Sequence, residues 1–136
     1  MSKKGFTLLE IIIVIIIVGV LASLALPRFF STIEYSRSTE AFSNLAAVRQ
    51  ALERCYLQRS GNYAGCTAFT SLDIGDPANS PNAHFSYVIS AASATGYTIT
   101  VTRNTQDGGA ATSIIAMIQT TTGVTRSGVG AFAGVQ

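Results

Sequence analysis

Three rules of apolar spacing follow one another along the chain. From Phe6 to Leu26 there are 21 residues, of which only Thr7, Glu10, Gly19 and Ser23 are not apolar. A helix of that length rises about 30 Å, the thickness of a bilayer core. After Arg28 the run gives way to a stripe: Leu45, Val48, Leu52 and Cys55 or Tyr56 recur at steps of three and four, with Arg49, Glu53, Arg54 and Arg59 on other faces. That is the pattern of an amphipathic helix. Because it continues the first run without a break in composition, one helix from about Phe6 to Arg59 is predicted, on the order of 80 Å if unbroken. Ser60-Gly61-Asn62 supplies its stop. Gly19 and Pro27 are its soft points. Pro27 has no N–H for the carbonyl of Ser23 and biases Leu26 away from helical angles, which predicts a bend or a locally unwound stretch near residues 19–27.

Residues 61–84, with SGNYAGCT and DIGDPANSPNAH, are dense in Gly, Asn, Asp and Pro and read as a long loop. Beyond it the apolar period falls to two. FSYVIS at 85–90, YTITVTR at 97–103 and TSIIAMIQT at 112–120 read as strands, with Tyr97, Ile99 and Val101 on one face of the second. Gln106-Asp107-Gly108-Gly109 reads as a hairpin turn between the second and third, and Val124 to Arg126 as a short fourth strand. The predicted fold class is α+β: a long N-terminal helix whose outer half, Leu45 to Tyr56, packs on a sheet of three or four antiparallel strands with Thr-rich positions facing water.

Composition changes this picture in three places. At 136 residues the chain holds one small domain plus the apolar segment, which cannot share a water-soluble core. Two lysines before the run and a single arginine, Arg28, after it place the N-terminus on the cytoplasmic side. Loss of residues 1–5 would take the formal charge from +2 to 0 and leave no lysine, so no strong nucleic-acid binding is expected of a processed chain. Cys55 and Cys66 are the whole cysteine inventory; in an exported chain they read as one disulfide tying the helix end to the loop, against two buried free thiols. Such a loop of about a dozen residues is worth roughly 2.5–3 kcal/mol in the chain-entropy picture.

An enzyme is not expected. His84 is the only histidine, the seven acids are spread out, and the many Ser and Thr residues have no plausible base. No metal site or cofactor is expected either. Asp73 and Asp76 read as turn formers rather than half of a calcium site, and Phe29, Phe30, Tyr35, Phe42 and Tyr56 read as packing residues rather than a conduction path.

Glu10 is the anomaly. A carboxylate in a membrane anchor costs about 2.5–3.5 kcal/mol at mid-bilayer, and less near the interface, and points to a partner. One reading has Glu10 snorkel toward Lys3 and Lys4. Another has a cut between Gly5 and Phe6 create an α-amino group, which another copy of the chain offers to Glu10. A cleaved signal peptide is the competing reading, with Lys3 and Lys4 as its charged region, Ile11 to Leu21 as its apolar region and Ser23-Leu24-Ala25 as its cleavage site. The helical periodicity that resumes directly after that supposed cut counts against it.

The stretch KKGFTLLEIIIVIIIVGVLASLALP resembles the N-terminus of a class-a type IV prepilin: a basic leader ending in glycine, then phenylalanine, a glutamate four residues on, an unbroken apolar helix and a proline at its end. The resemblance covers residues 3 to about 27 closely. It implies leader removal (residues 1–5) by the membrane aspartic protease prepilin peptidase, cutting after Gly5, and N-methylation of Phe6. It also implies that Glu10 pairs with the Phe6 amine of a neighbouring subunit and that the segment from Gly19 to Pro27 loses helicity in the filament. Residues 6–27 would be the transmembrane and assembly helix, and residues 28–136 the pilin head (28–60 helix, 61–84 loop, 85–136 sheet and C-terminal tail). The expected partners are copies of the chain in a homopolymeric helical filament, the membrane before assembly, the peptidase/methyltransferase and the inner-membrane pilus assembly machinery. The expected locations are the inner membrane as a single-pass precursor and then an extracellular pilus. Pilins often carry their disulfide near the C-terminus, so a 55–66 pairing departs from the pattern. The secretion pseudopilin resembles pilins through the same motif; major pseudopilins typically bind calcium near the C-terminus, and no acid follows Asp107 here. A monomeric anchored periplasmic binding domain is the third reading.

Overall fold

The computed structural model describes residues 5–135. A single helix, α1, covers Leu8–Gln58, and four strands follow: β1 (Phe85–Ser90), β2 (Tyr97–Arg103), β3 (Ile114–Thr120) and β4 (Gly123–Val129). They form one antiparallel sheet in the order β1-β2-β3-β4, so each strand pairs with its neighbour in sequence. The chain divides into two compact units, one ending at Ile33 and one starting at Glu34.

In the second unit the sheet buries its period-two face. Phe85, Tyr87 and Ile89 of β1, Tyr97, Ile99 and Val101 of β2, and Ile115 and Met117 of β3 are all buried. Register stacks them across the strands: Ile89 opposite Ile99, Ile99 opposite Met117, Tyr87 opposite Val101, Val101 opposite Ile115. Against them lie Leu45, Val48, Leu52 and Cys55 of α1, the three- and four-step stripe read from the sequence, together with Ala41, which that stripe did not include, while Tyr56 is only half-buried. A large apolar side chain fully buried in this way contributes about 1.5–3 kcal/mol. The helix stops where Ser60 (φ 56°) and Gly61 (φ 81°) turn left-handed, and the Gly61 N–H closes the end on the carbonyl of Tyr56 at 2.9 Å.

The loop after α1 contains two 3₁₀ turns, Phe69–Ser71 and Pro77–Asn79. Asp76 caps the second, its carboxylate accepting the Ala78 N–H at 2.9 Å, so this acid is a turn former. Two details differ from the sequence reading. The β2–β3 connection is no tight hairpin: Gln106–Gly108 forms a 3₁₀ turn with Asp107 at φ 53°, and β3 begins only at Ile114. Ser113 is buried instead of extending the strand, its hydroxyl taken by the Ala131 N–H. The fourth strand is a full seven residues, because pairing with β3 runs from Thr120↔Gly123 to Ile114↔Val129.

In the first unit α1 is helical through Gly19 and Pro27, so the locally unwound stretch is absent from this structure. Proline removes one N–H, and the hydrogen bonds on either side of that gap persist. Hydroxyls add to them: Ser31 and Thr32 both donate to the Arg28 carbonyl, at 2.8 and 2.9 Å, and Ser23 donates to Val20 at 2.7 Å.

Candidate functional site

The start of α1 explains locally why a glutamate heads the apolar run. Thr7 and Glu10 form a reciprocal cap: the Glu10 N–H donates to the Thr7 hydroxyl at 3.2 Å, and the Thr7 N–H donates to the Glu10 carboxylate at 3.4 Å. This is the T-x-x-E capping box, which satisfies two N–H groups that a helix start leaves unpaired and sets a negative charge against the positive end of the helix dipole. The signal stood in the sequence as Thr7-Leu8-Leu9-Glu10, and the reading of Glu10 as a charge lacking a partner passed over it. Lys3 and Lys4, the other partners considered, lie outside the described residues. Gly5 has open space where a side chain would stand, and Phe6 is 81% exposed, so the Gly5–Phe6 bond lies on an accessible segment ahead of the helix.

Behind this cap comes an apolar surface that nothing among the described residues covers. From Leu8 to Leu26 every large aliphatic residue is exposed, as are Phe29 and Phe30. The segment's mean hydropathy of 3.0 and its length suffice to cross a bilayer. Gly19 is open on its Cα side, so a neighbouring helix could approach closely there.

The second unit has two fastenings. Cys55 and Cys66 form the disulfide (S–S 2.02 Å), and both are buried. Tyr63, inside that loop, packs between Tyr56, tilted against it at a centroid distance of 4.4 Å, and Tyr97, edge to face at 4.8 Å, and donates its hydroxyl to Glu53 at 3.0 Å. Burial, then the Glu53 contact, pushes the Tyr63 phenol well above its ordinary range. The second fastening was not legible in the sequence. Arg103 ends the buried face of β2 with no exposure at all, and its guanidinium forks onto Glu34 of α1 at 3.0 and 3.2 Å. It also donates to the carbonyls of His84 and Asn104 and lies 5.7 Å over the Phe85 ring. Arg37 joins Glu34 to Asp107, and His84 lies between Glu40 (2.8 Å) and Asp107 (3.1 Å). Hydrogen bonds from Arg103 hold the Glu34 carboxyl below the usual carboxylate range against the opposing effect of burial.

Asp73 pairs with Arg54 through two contacts, one at 2.8 Å, which holds its carboxyl low. The acids weighed for calcium are thus engaged separately. Among the described residues no group of three or more His, Cys, Asp or Glu side chains is placed to hold a metal ion, and the ring nitrogens of His84 each lie within hydrogen-bond distance of a carboxylate, Glu40 and Asp107.

Comparison with known families follows the same division of the chain. Residues 1–26 match the prokaryotic N-terminal methylation motif, and residues 27–112 match the family described as type IV minor pilin ComP, DNA uptake sequence receptor. Among curated proteins, the type IV major fimbrial protein FimA of Dichelobacter nodosus is 40% identical over 63 residues (46% of this chain, 39% of FimA). The type IV narrow pilus major component PilA5 of Thermus thermophilus is 39% identical over 61 residues (45% and 53%). The type II secretion system core protein G of Escherichia coli is 45% identical over 52 residues (38% and 36%). The matched stretch therefore spans between about a third and about half of these relatives. No solved structure matches the chain.

Proposed function

The chain belongs to the type IV pilin family, and from that membership we propose that it is a structural, non-enzymatic subunit of a type IV pilus filament. The observation that carries this reading is the uncovered apolar helix headed by a single capped carboxylate. A surface of that size is unstable in water. It is held in a membrane as the precursor, and among copies of itself once assembled. Repeating the same contact by one rotation and rise gives an open filament.

Prepilin peptidase cuts after Gly5 and the new Phe6 amine is N-methylated; the product is handed to the inner-membrane assembly machinery and leaves the cell as a pilus. Cleavage removes Lys3 and Lys4, so the cation nearest to Glu10 becomes an amine. Glu10 then discriminates between axial registers, because a misplaced subunit buries a carboxylate without its counter-charge. In the filament the Gly19–Pro27 segment gives up its helix, starting from the Ser23 carbonyl that Pro27 leaves without its usual partner.

Mass analysis of the native protein tests the processing step: the expected mature chain starts at N-methylated Phe6, and a start at Met1 or near Leu26 would rule it out. Electron microscopy tests the filament. Long extracellular fibres made of this chain support the pilus, whereas short periplasmic stubs support the pseudopilin reading to which the similarity with protein G lends weight. Glu10→Ala is expected to leave the precursor in the membrane and abolish fibres. The DNA-receptor wording belongs to the matching family. From Glu34 onward this chain has six arginines against six acids, a balance that gives no net attraction to duplex phosphates.

A further inference from the structure

The sheet is covered unevenly. On β1, β2 and β3 the helix-facing positions are buried, but on β4 they are Val124, Arg126 and Gly128, of which Arg126 is exposed and the others half-buried. Arg126 stands opposite buried Met117, so it points to the helix side of the sheet. Beside it, α1 residues Phe42, Leu45, Arg49 and Glu53 line a groove of about 450 Å³ that Met117 and Arg126 close from the sheet, the Glu53 carboxylate already accepting the Tyr63 hydroxyl. A second hollow runs on along consecutive β4 residues, Val124 to Gly128, and meets Val135. Among the described residues, the backbone of Val124–Val129 makes no hydrogen bond beyond its ladder with β3. The groove therefore has an unpaired strand edge along one wall, an apolar floor, and two guanidinium groups, Arg49 and Arg126, that form no ion pair among the described residues.

An unpaired edge beside an apolar trough is what an added strand requires, since main-chain hydrogen bonds give affinity and alternate side chains give selectivity. With Glu53 taken up by Tyr63, the two arginines outnumber the one acid of the groove and favour an anionic occupant. A second copy of this chain is poorly suited to supply it: among the described residues, the six carboxylates other than that of Glu10 in the apolar helix are engaged, Glu34, Glu40, Glu53, Asp73, Asp76 and Asp107 each holding a hydrogen-bond donor.

We infer that the groove beside β4 receives an extended acidic segment of a different polypeptide, which pairs with the free edge of β4, seats an apolar side chain on Phe42, Leu45 and Met117, and places a carboxylate between Arg49 and Arg126. Such a segment carries acid and apolar residues two positions apart, because alternate residues of a strand share a face.

The test uses the full chain in detergent micelles and a labelled, end-capped peptide, TVTETVT, followed by fluorescence anisotropy. Saturable binding is expected. Exchanging the central Glu for Lys, or introducing Arg126→Gln or Arg49→Gln into the protein, is expected to weaken it roughly tenfold, the scale of one charged hydrogen bond. Peptides N-methylated on alternate amides separate strand pairing from simple anion binding: the set facing β4 abolishes binding and the set facing away is tolerated. Thermal melts of both variants, expected to match the parent because Arg126 is exposed and neither side chain is ion-paired, establish that they remain folded. The inference is overturned if no peptide binds, or if both methylated sets bind as well as the parent. It is also overturned if inorganic phosphate or a DNA duplex occupies the site with the same Arg126 dependence while the peptide does not. Self-association of the chain that Arg126→Gln abolishes would make a second copy the occupant and overturn it as well.

Discussion

Glu34 is partly open to solvent whereas its partner Arg103 has no exposure, and this asymmetry decides how the pair responds to acid. The folded-state affinity of Glu34 for a proton is lowered, chiefly by hydrogen bonds from Arg103. A carboxyl group of this kind stabilises the fold fully above its unfolded value, and the contribution fades as pH falls through the folded one. Thermal melts of the second unit should therefore lose stability on acidification below the ordinary carboxylate range, and Glu34→Gln should flatten that dependence while lowering the melting temperature at neutral pH. Removing one partner of a buried pair costs about 3–5 kcal/mol, because Arg103 would stay buried without its counter-charge. Tyr97 makes the opposite case. Its hydroxyl is buried without a well-aligned hydrogen-bond partner among the described residues, the Arg49 guanidinium being the nearest donor, and burial pushes the phenol up to about 12. Tyr97→Phe should therefore leave stability unchanged or slightly raised in denaturant titrations, since no bond is lost and an unsatisfied polar atom is removed. Neither residue announced its role in the sequence. Glu34 and Arg103 are 69 positions apart, and an arginine at the end of an alternating strand looks like a solvent-facing residue until a partner is known.

Elements written in period were legible almost to the residue. β1 and β2 have the boundaries that FSYVIS and YTITVTR suggest, and the helix stripe supplies the core. β4 was legible only in part, because its helix-facing positions carry Val, Arg and Gly, so the alternation that marks a half-buried strand is missing where the strand is only partly covered. The β2–β3 connection misled for another reason: Gly108 and Gly109 do mark a turn, but Arg103 and Ser113 are still fastened to each other, N–H to carbonyl at 3.0 Å, before the chain reaches β3. The disulfide joins the last turns of α1 to a loop otherwise held by the tyrosine stack. With a separation of 11 residues, its loop-closure contribution is about 3 kcal/mol. Reduction should lower the unfolding free energy read from denaturant titrations by that amount and loosen the packing around Tyr63 first, which near-ultraviolet circular dichroism of the tyrosines would register.

At the scale of the molecule, two units with opposite solvent preferences share one covalent helix. Every residue of the apolar core lies between Ala41 and Phe132. A chain starting at Arg28 should accordingly be soluble without detergent and melt cooperatively, whereas the full chain should need detergent or lipid; light scattering and calorimetry would read the difference. The fold class and the N-terminal motif were legible because both are local patterns. The groove beside β4 was not, being a matter of what fails to cover what. One further property follows from the helix at Pro27, where the ladder of backbone bonds lacks a rung. A pull along the axis concentrates yielding where the fewest bonds must break. Drawing nine residues, 19–27, from helical rise to extended rise lengthens the chain by roughly 15–20 Å. In the filament proposed above, that extension would repeat at every subunit and give a fibre that stretches under load and recoils, with the compliance set by one missing N–H per subunit.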